Sequence, residues 1–272
     1  MGANFNDREQ CHETISNSVL SVSLETDELR FHYGPGIVGP ETEFRRLDAI
    51  RASLLDPQCG GPDPVYGIAM DVARASDMPS LKTRMLLFGI VVYAAGRLGQ
   101  EPVRSQGHVH AIAPHSGWSP PEIFEVWEGS AVIYAQETTE DDPGNCIAVF
   151  AKEGDKVVVP PGWAHSVINA DPNRRMVFGA WCDRQYGFVY DGVRKHGGLA
   201  WFPLLTTTNE IEWRANLSYK SAGIDLRRAR AYPELDLIRD CGLYQQFLNN
   251  PESVMWVSDP ARKAAVWPNF QL

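Results

Sequence analysis

The sequence predicts a mainly β protein built around a sandwich or a barrel. Between residues 65 and 181 the chain contains many short segments rich in β-branched and aromatic residues, and turn-forming residues separate them. The composition agrees, because 44% of the 272 residues are hydrophobic and 22% are charged, which is ordinary for a globular domain. We therefore expect one large domain, or a core domain with extensions.

Residues 1–64 form the first of three blocks, and we expect this block to pack on the barrel. It holds two short strand-like pieces, Val19–Leu24 and Leu29–His32, followed by one predicted helix, Glu41–Leu55. Apolar residues recur near helical spacing in that helix, and the Asp-Pro pair that follows ends it. A loop rich in glycine and proline closes the block.

Residues 65–200 form the second block, the barrel itself. Turn-forming residues, among them Gly129 and Gly154, separate its strand-like segments. The predicted strands are Val65–Val72, Arg84–Ala94, Gly107–Ala111, Ile123–Trp127, Ala131–Gln136, Cys146–Ala151, Lys156–Val159, His165–Ala170 and Met176–Trp181.

Residues 201–272 form the third block, a C-terminal extension of mixed character. Apolar residues recur at helical spacing between Glu234 and Asn249, which predicts a helix there. The tail after it carries Trp256, Trp267 and several prolines. This tail is apolar enough that we expect it to pack back on the barrel.

The charge of the chain excludes two classes of partner. Lysine and arginine number 25 against 34 aspartate and glutamate residues, which leaves a formal net charge of −9. A chain with this excess of negative charge lacks the positive charge that binding to nucleic acid or to an anionic membrane surface requires. Its longest apolar run, Met85–Ala95, is much shorter than the roughly 20 residues that a membrane span needs.

The N-terminus and the cysteines predict a cytoplasmic protein. The first residues are polar and lack the basic start and the apolar stretch of a secretory signal. The cysteines are odd in number, widely spaced and without a CxxC pair, at Cys11, Cys59, Cys146, Cys182 and Cys241. This pattern is typical of free thiols in a reducing compartment.

One segment with metal-ligand chemistry is Gly107-His108-Val109-His110, which Glu122 follows. Residues two apart in a strand point to the same face, so His108 and His110 project together. Two imidazoles on one face with a carboxylate nearby form a donor set that divalent transition metals accept. An HxH pair by itself is weak evidence, because surface strands carry such pairs by chance.

A second segment supports the first. In GDKVVVPPGWAHSVIN a strand ends at a Pro-Pro-Gly turn, and a histidine begins the next strand. This segment resembles the second motif of the cupin superfamily, GxxxxxPxGxxHxxxN, at every defined position: Gly154, Pro160, Gly162, His165 and Asn169.

The first segment also resembles its cupin counterpart. It keeps HxH and the seven-residue step from Glu122 to Gly129, but Pro102 stands where the motif has a glycine, and a longer loop is inserted after His110. The resemblance implies a cupin jelly-roll barrel in which one divalent transition metal ion, iron, manganese, zinc or nickel, is bound. The implied ligands are His108, His110, Glu122 and His165.

Glu125 competes with Glu122 for the carboxylate position. If the segment is a strand, Phe124 and Val126 share a face with Glu122, and Glu125 points to the opposite face. The step to the motif glycine also selects Glu122. We therefore favour Glu122.

More of the chain is similar to the archaeal-type cupin phosphoglucose isomerases. The similarity covers about residues 20–200, and the C-terminal extension matches only loosely. The similar stretches are RRL (Arg45–Leu47), DPVYGIAMDV (Asp63–Val72), VVYAAGRLGQEPVRSQGHVHA (Val91–Ala111), EIFEVWEGSAVIYAQ (Glu122–Gln136) and VVVPPGWAHSVIN (Val157–Asn169). This resemblance implies a homodimeric isomerase that interconverts glucose 6-phosphate and fructose 6-phosphate.

The same resemblance implies roles for individual residues. Glu122 would also be the base that moves a proton between C1 and C2 of the open-chain sugar, with Tyr186 as a second catalytic residue near the substrate. Ser105, Gly107 and Tyr186 would bind the sugar phosphate, because a dianion needs several N–H and O–H donors. Tyr186 is equally consistent with an aromatic side chain packed beside Gly187.

The chain departs from the pattern of this family at three positions. An apolar residue, Ile90 or Val91, stands where a threonine usually helps to hold phosphate. Phe124 replaces a tyrosine, and Gln106 replaces a frequent lysine. The candidates to replace the lost phosphate donors are Arg97, Arg104 and Arg184.

Two other functions stay open. The first is a cupin isomerase, epimerase or dioxygenase that acts on a different small molecule, phosphorylated or not, and the apolar replacements favour it. The second is a sugar-binding cupin without catalysis, and the intact ligand set weighs against it. His115, which lies in the inserted loop, is a further candidate to line the pocket.

Overall fold

Strands dominate the structure, a computed structural model that describes residues 12–14, 19–25 and 28–272. The described strands are β1 (His12–Thr14), β2 (Val22–Glu25), β3 (Arg30–Tyr33), β4 (Ile37–Val38), β5 (Glu43–Arg45), β6 (Tyr66–Met70), β7 (Ala73–Arg74), β8 (Leu86–Tyr93), β9 (Arg97–Leu98), β10 (Glu101–Pro102), β11 (Val109–His110), β12 (Glu122–Glu128), β13 (Ser130–Gln136), β14 (Cys146–Lys152), β15 (Lys156–Val159), β16 (Ala164–Asn169), β17 (Met176–Asp183), β18 (Phe188–Val189), β19 (Trp201–Leu205), β20 (Ile211–Ala215) and β21 (Ile224–Arg228). The described α-helices are α1 (Met78–Thr83), α2 (Asp191–Lys195) and α3 (Leu243–Asn249). Short 3₁₀ helices lie at Leu47–Ala49, Arg51–Ser53, Pro233–Leu235, Pro251–Val257, Pro260–Lys263 and Trp267–Asn269.

Two sheets form the barrel. The larger sheet has the strand order β15-β12-β17-β8-β6-β5, and the smaller has the order β16-β13-β14-β21, in which β21 lies parallel to β14. Side chains from both sheets meet in one core, which includes Val91 of β8, Phe124 of β12, Ile133 of β13 and Val149 of β14. Two mainly antiparallel sheets that enclose one core form a double-sheet jelly roll, so the predicted fold class is confirmed.

C-terminal residues cover the outer face of the larger sheet. Phe88 of β8 and Trp181 of β17 belong to this outer core, because successive strand residues alternate between the faces. The Trp181 ring stacks on Tyr244 with the ring centroids 5.5 Å apart, and the Trp181 Nε1 donates to the carbonyl of Leu243 at 3.2 Å. Phe247 lies against the same indole. Val254, Trp256 and Val257 of the tail belong to the same outer core, and Trp267 packs against it, so the C-terminal tail packs back on the barrel as expected.

The described part of the N-terminal block also contacts the barrel. Leu20, Val22 and Leu24 are buried in the outer core, together with Ala69 of the larger sheet. Cys11 and the other residues at positions 1–11, 15–18 and 26–27 lie outside the described residues. The block boundaries after residues 64 and 200 stay predictions.

The predicted helix over Glu41–Leu55 is wrong. Residues Glu43–Arg45 form the edge strand of the larger sheet and pair with β6, and two 3₁₀ turns follow. Leu47, Ile50 and Leu54 are buried all the same. A 3₁₀ helix repeats about every three residues, so apolar residues spaced three or four apart can also be buried on one side of 3₁₀ turns. Pairing at the sheet edge satisfies backbone groups that a short helix leaves to solvent.

The predicted helix over Glu234–Asn249 is wrong in its first half. Asp236 adopts a φ of 59°, in the left-handed region, and this residue ends a 3₁₀ turn at Pro233–Leu235. The helix begins only at Leu243, whose N–H donates to the side chain of Glu125 at 3.1 Å. Anchoring to the barrel therefore determines where this helix starts.

Within the described residues no helix combines the length and the apolar character that crossing a membrane requires.

Candidate metal centre

Four side chains from separate parts of the barrel converge on one point. His108, His110, Glu122 and His165 each offer one ligand atom, and these atoms all lie within 4.8 Å of one another. The Oε2 atom of Glu122 lies 3.2 Å from the Nε2 of His110 and 3.1 Å from the Nε2 of His165. His108 is partly buried and the other three are buried. We call these four residues the His/Glu cluster.

Backbone pairing brings the histidines together. His108 and His165 face each other across an antiparallel bridge, in which the N–H of each donates to the carbonyl of the other at 3.0 and 2.9 Å. His110 belongs to β11, which pairs with β18, and Glu122 is the first residue of β12. Of the strand predicted over Gly107–Ala111, only Val109 and His110 form a strand. His108, directly before it, is held by the bridge to His165.

The loop inserted after His110 orients its imidazole. The Nδ1 of His110 lies 2.9 Å from the carbonyl oxygen of Pro120, and the Ser119 hydroxyl donates to the His110 carbonyl at 2.6 Å. The Nδ1 of His165 has a similar partner, the carbonyl of Trp163 at 3.3 Å. A carbonyl accepts only from a protonated nitrogen, so the lone pairs of both Nε2 atoms are left for the cluster.

The electrostatics of the cluster favour the ligating forms of two residues. Burial by itself raises the pKa of Glu122, but the contacts with His110 and His165 outweigh burial and hold this pKa well below its ordinary value. Burial, together with the neighbouring His165 and His110, lowers the pKa of His108 well below its ordinary value. Glu122 is therefore ionised and His108 neutral, as metal ligation requires.

His110 behaves differently from His108. Burial lowers the pKa of His110, but the contacts with Glu122 and the Pro120 carbonyl outweigh burial, so this pKa is raised overall. A proton on His110 therefore competes with a metal for the same nitrogen.

Two observations fit a divalent transition metal. The Nε2 atom of His108 is buried and has no hydrogen-bond partner, which costs free energy unless another group binds it. Three imidazole nitrogens and one carboxylate oxygen also form a donor set that several first-row ions accept, among them iron, manganese, zinc and nickel. The four residues of the cluster could thus hold one such ion.

Sequence reasoning missed Cys182, which contacts the cluster. Its buried Sγ lies 3.0 Å from the Oε1 atom of Glu122. Burial and the nearby Glu122 raise the pKa of this thiol well above its ordinary value, so the S–H is the donor and the carboxylate the acceptor. Strand alternation in β17 could have found it, because Phe178 and Ala180 share its face and belong to the same inner core.

The cluster opens onto a cavity inside the barrel. Among the described residues that line it, Glu122 is the only carboxylate. The apolar wall is formed by Ile68, Met70, Val91, Phe124, Val167, Phe178, Ala180 and Phe188. The other polar side chains on the lining are those of Arg45, Tyr66, Tyr93, Ser105, Gln106 and Tyr190.

Two of the departures noted in the sequence lie on this wall. Val91 lines the cavity, whereas Ile90 points into the outer core, so the apolar replacement that faces the cavity is Val91. Phe124 lines the cavity as well and contacts the rings of Phe178 and His165 edge-on. Both positions are therefore apolar where they face the cavity.

The residues predicted to bind substrate occupy different places. Ser105 and Gly107 line the cavity, and the Ser105 Oγ accepts from the N–H of Val167 at 3.1 Å. Tyr186 is not among the described lining residues. It packs against Phe188, whose ring centroid lies 4.3 Å from that of His108. The roles of Ser105, Gly107 and Tyr186 stay predictions.

Gly107 has a structural reason to be glycine. Its φ is 88°, and a Cβ atom there would lie 2.7 Å from the side chain of Leu199. A larger residue would displace the segment that carries His108.

Arg97, Arg104 and Arg184 were candidates to replace the lost phosphate donors. None of them lines the cavity in the described chain, so that prediction is wrong. Arg104 is buried and its guanidinium is committed to a short ion pair and to two carbonyl groups. The side-chain partners of Arg97, Arg104 and Arg184 are Asn209, Glu101 and Asp71, respectively. Each guanidinium thus serves a structural contact.

His115 does not line the cavity either. Its Nδ1 lies 2.9 Å from the side-chain oxygen of Gln185, and its Nε2 lies 3.0 Å from the Ser258 carbonyl and 3.1 Å from the Asp183 carboxylate. It therefore joins the inserted loop to the C-terminal extension.

Glu125 points away from the cluster, as strand alternation predicts. Its carboxylate accepts from the Nε1 of Trp127 at 3.0 Å and from the N–H of Leu243 at 3.1 Å. It also lies 3.7 Å from the Nζ of Lys156. Glu122 is the carboxylate of the cluster.

The remaining positions of the second motif build the backbone around His165. Gly162 turns the chain with a φ of 81°. Asn169, at the end of β16, donates to the carbonyls of Ala94 and Arg174 at 3.0 and 2.7 Å. These bonds join the strand that carries His165 to the residue after β8 and to the turn before β17, two strands of the larger sheet.

Comparison with solved structures finds partial likenesses. An oxalate oxidase structure is 16% identical, with a TM-score of 0.35 over 46% of this chain and 54% of the other. A mutant of Bacillus subtilis oxalate decarboxylase is 16% identical, with a TM-score of 0.32 over 46% and 27%. Vicilin from Corylus avellana is 14% identical, with a TM-score of 0.34 over 47% and 32%. The chain thus spans about half or less of these proteins, and we draw nothing about function from them.

Sequence comparison is more informative. The glucose-6-phosphate isomerase family model matches residues 51–221, which include the entire His/Glu cluster. A glucose-6-phosphate isomerase from Thermococcus onnurineus (strain NA1) is 27% identical over 165 residues, which cover 59% of this chain and 79% of that protein. The match extends over more than half of the chain and includes both cupin motifs. The chain therefore belongs to the glucose-6-phosphate isomerase family of cupin type.

Proposed function

We propose that this protein is a metal-dependent isomerase that interconverts glucose 6-phosphate and fructose 6-phosphate. The observation that carries the proposal is the His/Glu cluster, which lies at the wall of a cavity in the part of the chain that matches the family. The family match gives the reaction class. The lining residues include Glu122, the proposed base, and His108 and His165, two further proposed metal ligands, which supports the proposal.

The reaction moves one proton between C2 of the aldose and C1 of the ketose and a second between the oxygens O2 and O1. The transfer between the carbons needs one base. Glu122 is the only carboxylate among the described lining residues, and its low pKa keeps it ionised. Cys182 donates to Oε1, and His110 and His165 lie beside Oε2, so the carboxylate is held in one orientation. We therefore assign to Glu122 the removal of the proton from one carbon and its return to the other.

The other groups around Glu122 support this role. When bound, a divalent metal supplies a Lewis acid that stabilises negative charge on the sugar oxygens O1 and O2. His108, His110, Glu122 and His165 would hold it. We expect the apolar wall to displace water from the reacting carbons when substrate is bound, which would strengthen the electrostatic interactions within the cavity.

A coupled assay tests the proposal. The purified protein is stripped with a chelator, reconstituted separately with iron, manganese, zinc or nickel, and supplied with fructose 6-phosphate. Glucose 6-phosphate is then measured with an NADP-linked dehydrogenase. Turnover that depends on the added metal supports the proposal. No turnover with any of the four metals contradicts it.

The apolar side chains of Val91 and Phe124 favour a second candidate. A cupin isomerase, epimerase or dioxygenase for a substrate with fewer polar groups would fit a cavity whose wall is apolar at these two positions. An oxygen electrode separates a dioxygenase from the first proposal, because sugar isomerisation consumes no oxygen.

The proposal also includes a sugar phosphate as the small-molecule partner, a cytoplasmic location and a homodimer. Four cysteines, Cys59, Cys146, Cys182 and Cys241, are free thiols in the described chain, which supports a reducing compartment. Sedimentation of the purified protein tests the dimer. A mass of one chain, 30.3 kDa, would exclude it.

A further inference from the structure

Arg45 is the only arginine or lysine among the described residues that line the cavity. It belongs to β5, the edge strand that the helix prediction missed, and it lies in the RRL stretch. Its backbone pairs with Tyr66 of β6, another residue of the lining. The strand therefore brings one permanent positive charge to an otherwise largely apolar cavity.

The guanidinium of Arg45 is only partly committed. Its Nη2 lies 3.0 Å from the carboxylate of Glu43, whose side chain is 67% exposed, and such solvent-exposed ion pairs are weak. Its Nε is buried and has no hydrogen-bond partner. A buried N–H without an acceptor costs free energy, so an acceptor that enters the cavity would gain by reaching it.

Hydroxyl groups continue from Arg45 along the cavity. The side chain of Tyr66 interacts with Arg45, and the ring of Tyr66 stacks on that of Tyr93 with the ring centroids 4.9 Å apart. Tyr93 in turn interacts with the hydroxyl of Ser105. Arginine, tyrosine and serine donors next to one another match the oxygens of a phosphate, which accepts several hydrogen bonds at once.

We infer that Arg45 binds the phosphate group of the substrate, with Tyr66 and Ser105 as further donors. This inference rests on the proposed function for the identity of the sugar, but not for the binding of an anion. Arg45 thereby takes the place that the sequence assigned to Arg97, Arg104 or Arg184.

The test compares Arg45→Met with Arg46→Met, a matched control from the next position. Arg46 is 60% exposed, and its Nη1 lies 3.8 Å from the carboxylate of Asp63 and 3.4 Å from the carbonyl of the same residue. It does not line the cavity. Both variants and the wild-type holoenzyme are titrated with inorganic phosphate in a calorimeter. KM and kcat for fructose 6-phosphate and the metal content per chain are measured in parallel.

For Arg45→Met we expect phosphate affinity to fall, and KM to rise, by about tenfold to a hundredfold, as expected for the loss of charge-assisted hydrogen bonds. Its kcat should change much less, and its metal content should equal that of the wild type. Arg46→Met should match the wild type in every measurement. Arg45→Lys, which keeps the charge without the planar fork, should fall between Arg45→Met and the wild type.

Unchanged phosphate affinity and unchanged KM in Arg45→Met would overturn the inference, as would phosphate bound only at the metal, because such binding does not depend on Arg45. If Arg45→Met does not fold, Arg45→Lys and Tyr66→Phe provide the same comparison. A wild type that binds phosphate through Arg45 but does not isomerise fructose 6-phosphate would refute the proposed function and support the anion site. Isomerase turnover that is the same in the wild type and in Arg45→Met would support the proposed function and refute the role of Arg45.

Discussion

Two carboxylates three residues apart, Glu122 and Glu125, give opposite predictions when each is removed. Glu125 is buried against the C-terminal extension, where it accepts hydrogen bonds from Trp127 and Leu243 and lies 3.7 Å from Lys156. Glu122 is buried on the opposite face, in the His/Glu cluster. We expect Glu125→Ala to lower stability and leave the metal in place, and Glu122→Ala to remove the metal.

The expected loss of stability in Glu125→Ala follows from the buried charge that the substitution leaves without its partner. Removing one partner of a buried ion pair costs about 3–5 kcal/mol, because the other charge stays buried. The side chain of Lys156 is 6% exposed, and its Nζ still donates to the Arg239 carbonyl at 2.8 Å. That contact relieves part of the penalty, so we expect the free energy of unfolding to fall by about 3 kcal/mol, near the lower end of this range.

Urea denaturation of the metal-free proteins measures this change without a contribution from metal binding. Metal analysis of the reconstituted proteins then gives the metal content per chain. Glu125→Ala with wild-type stability would refute the reasoning from burial. Metal retained in Glu122→Ala but lost in Glu125→Ala would refute the assignment of the cluster.

Three further predictions concern the metal centre and its support. His165→Ala should weaken metal binding by more than about 100-fold, because losing even a hydrogen-bond partner of a ligand costs about 10–100-fold in affinity. An unchanged metal content in a variant whose fold is confirmed by circular dichroism would count against the ligand set. The zinc affinity of the metal-free protein should rise as the pH rises through the raised pKa of His110 and then level off, because the proton and the metal compete for one nitrogen. A zinc affinity that does not change with pH would contradict this competition. Asn169→Ala removes hydrogen bonds to two carbonyls and to the N–H of Asp171, so the free energy of unfolding should fall by about 2 kcal/mol. Urea denaturation measures this change, and an unfolding free energy equal to that of the wild type would show that these bonds do not stabilise the fold.

Strand alternation was the most reliable guide to the site. It separated Glu122 from Glu125, and the structure places these side chains on opposite faces of β12. The same period of two separates Val91, which faces the cavity, from Ile90, which faces the outer core. Alternation is a property of the local backbone, so a few consecutive residues are enough to apply it.

Helical spacing was a poorer guide. Leu47, Ile50 and Leu54 are buried as the spacing in Glu41–Leu55 predicts, but they lie in or directly after two 3₁₀ turns that follow an edge strand. The second predicted helix starts late, because Glu125 holds the N–H of Leu243 across a distance of 118 residues in sequence. Tertiary hydrogen bonds therefore outweighed local propensity in both places.

From the sequence alone, strand period and turn residues predicted the β architecture, because both are local properties, and the resemblance of two motifs to those of the cupin superfamily implied the four residues of the His/Glu cluster. Only the tertiary structure decided that Cys182 contacts Glu122, that Arg45 rather than another arginine lines the cavity, and that Tyr186 packs against Phe188 without lining the cavity. Each of these facts depends on which distant segments pack together. Packing of that kind is settled by burial and hydrogen bonding over the whole chain, and no short stretch of residues encodes it.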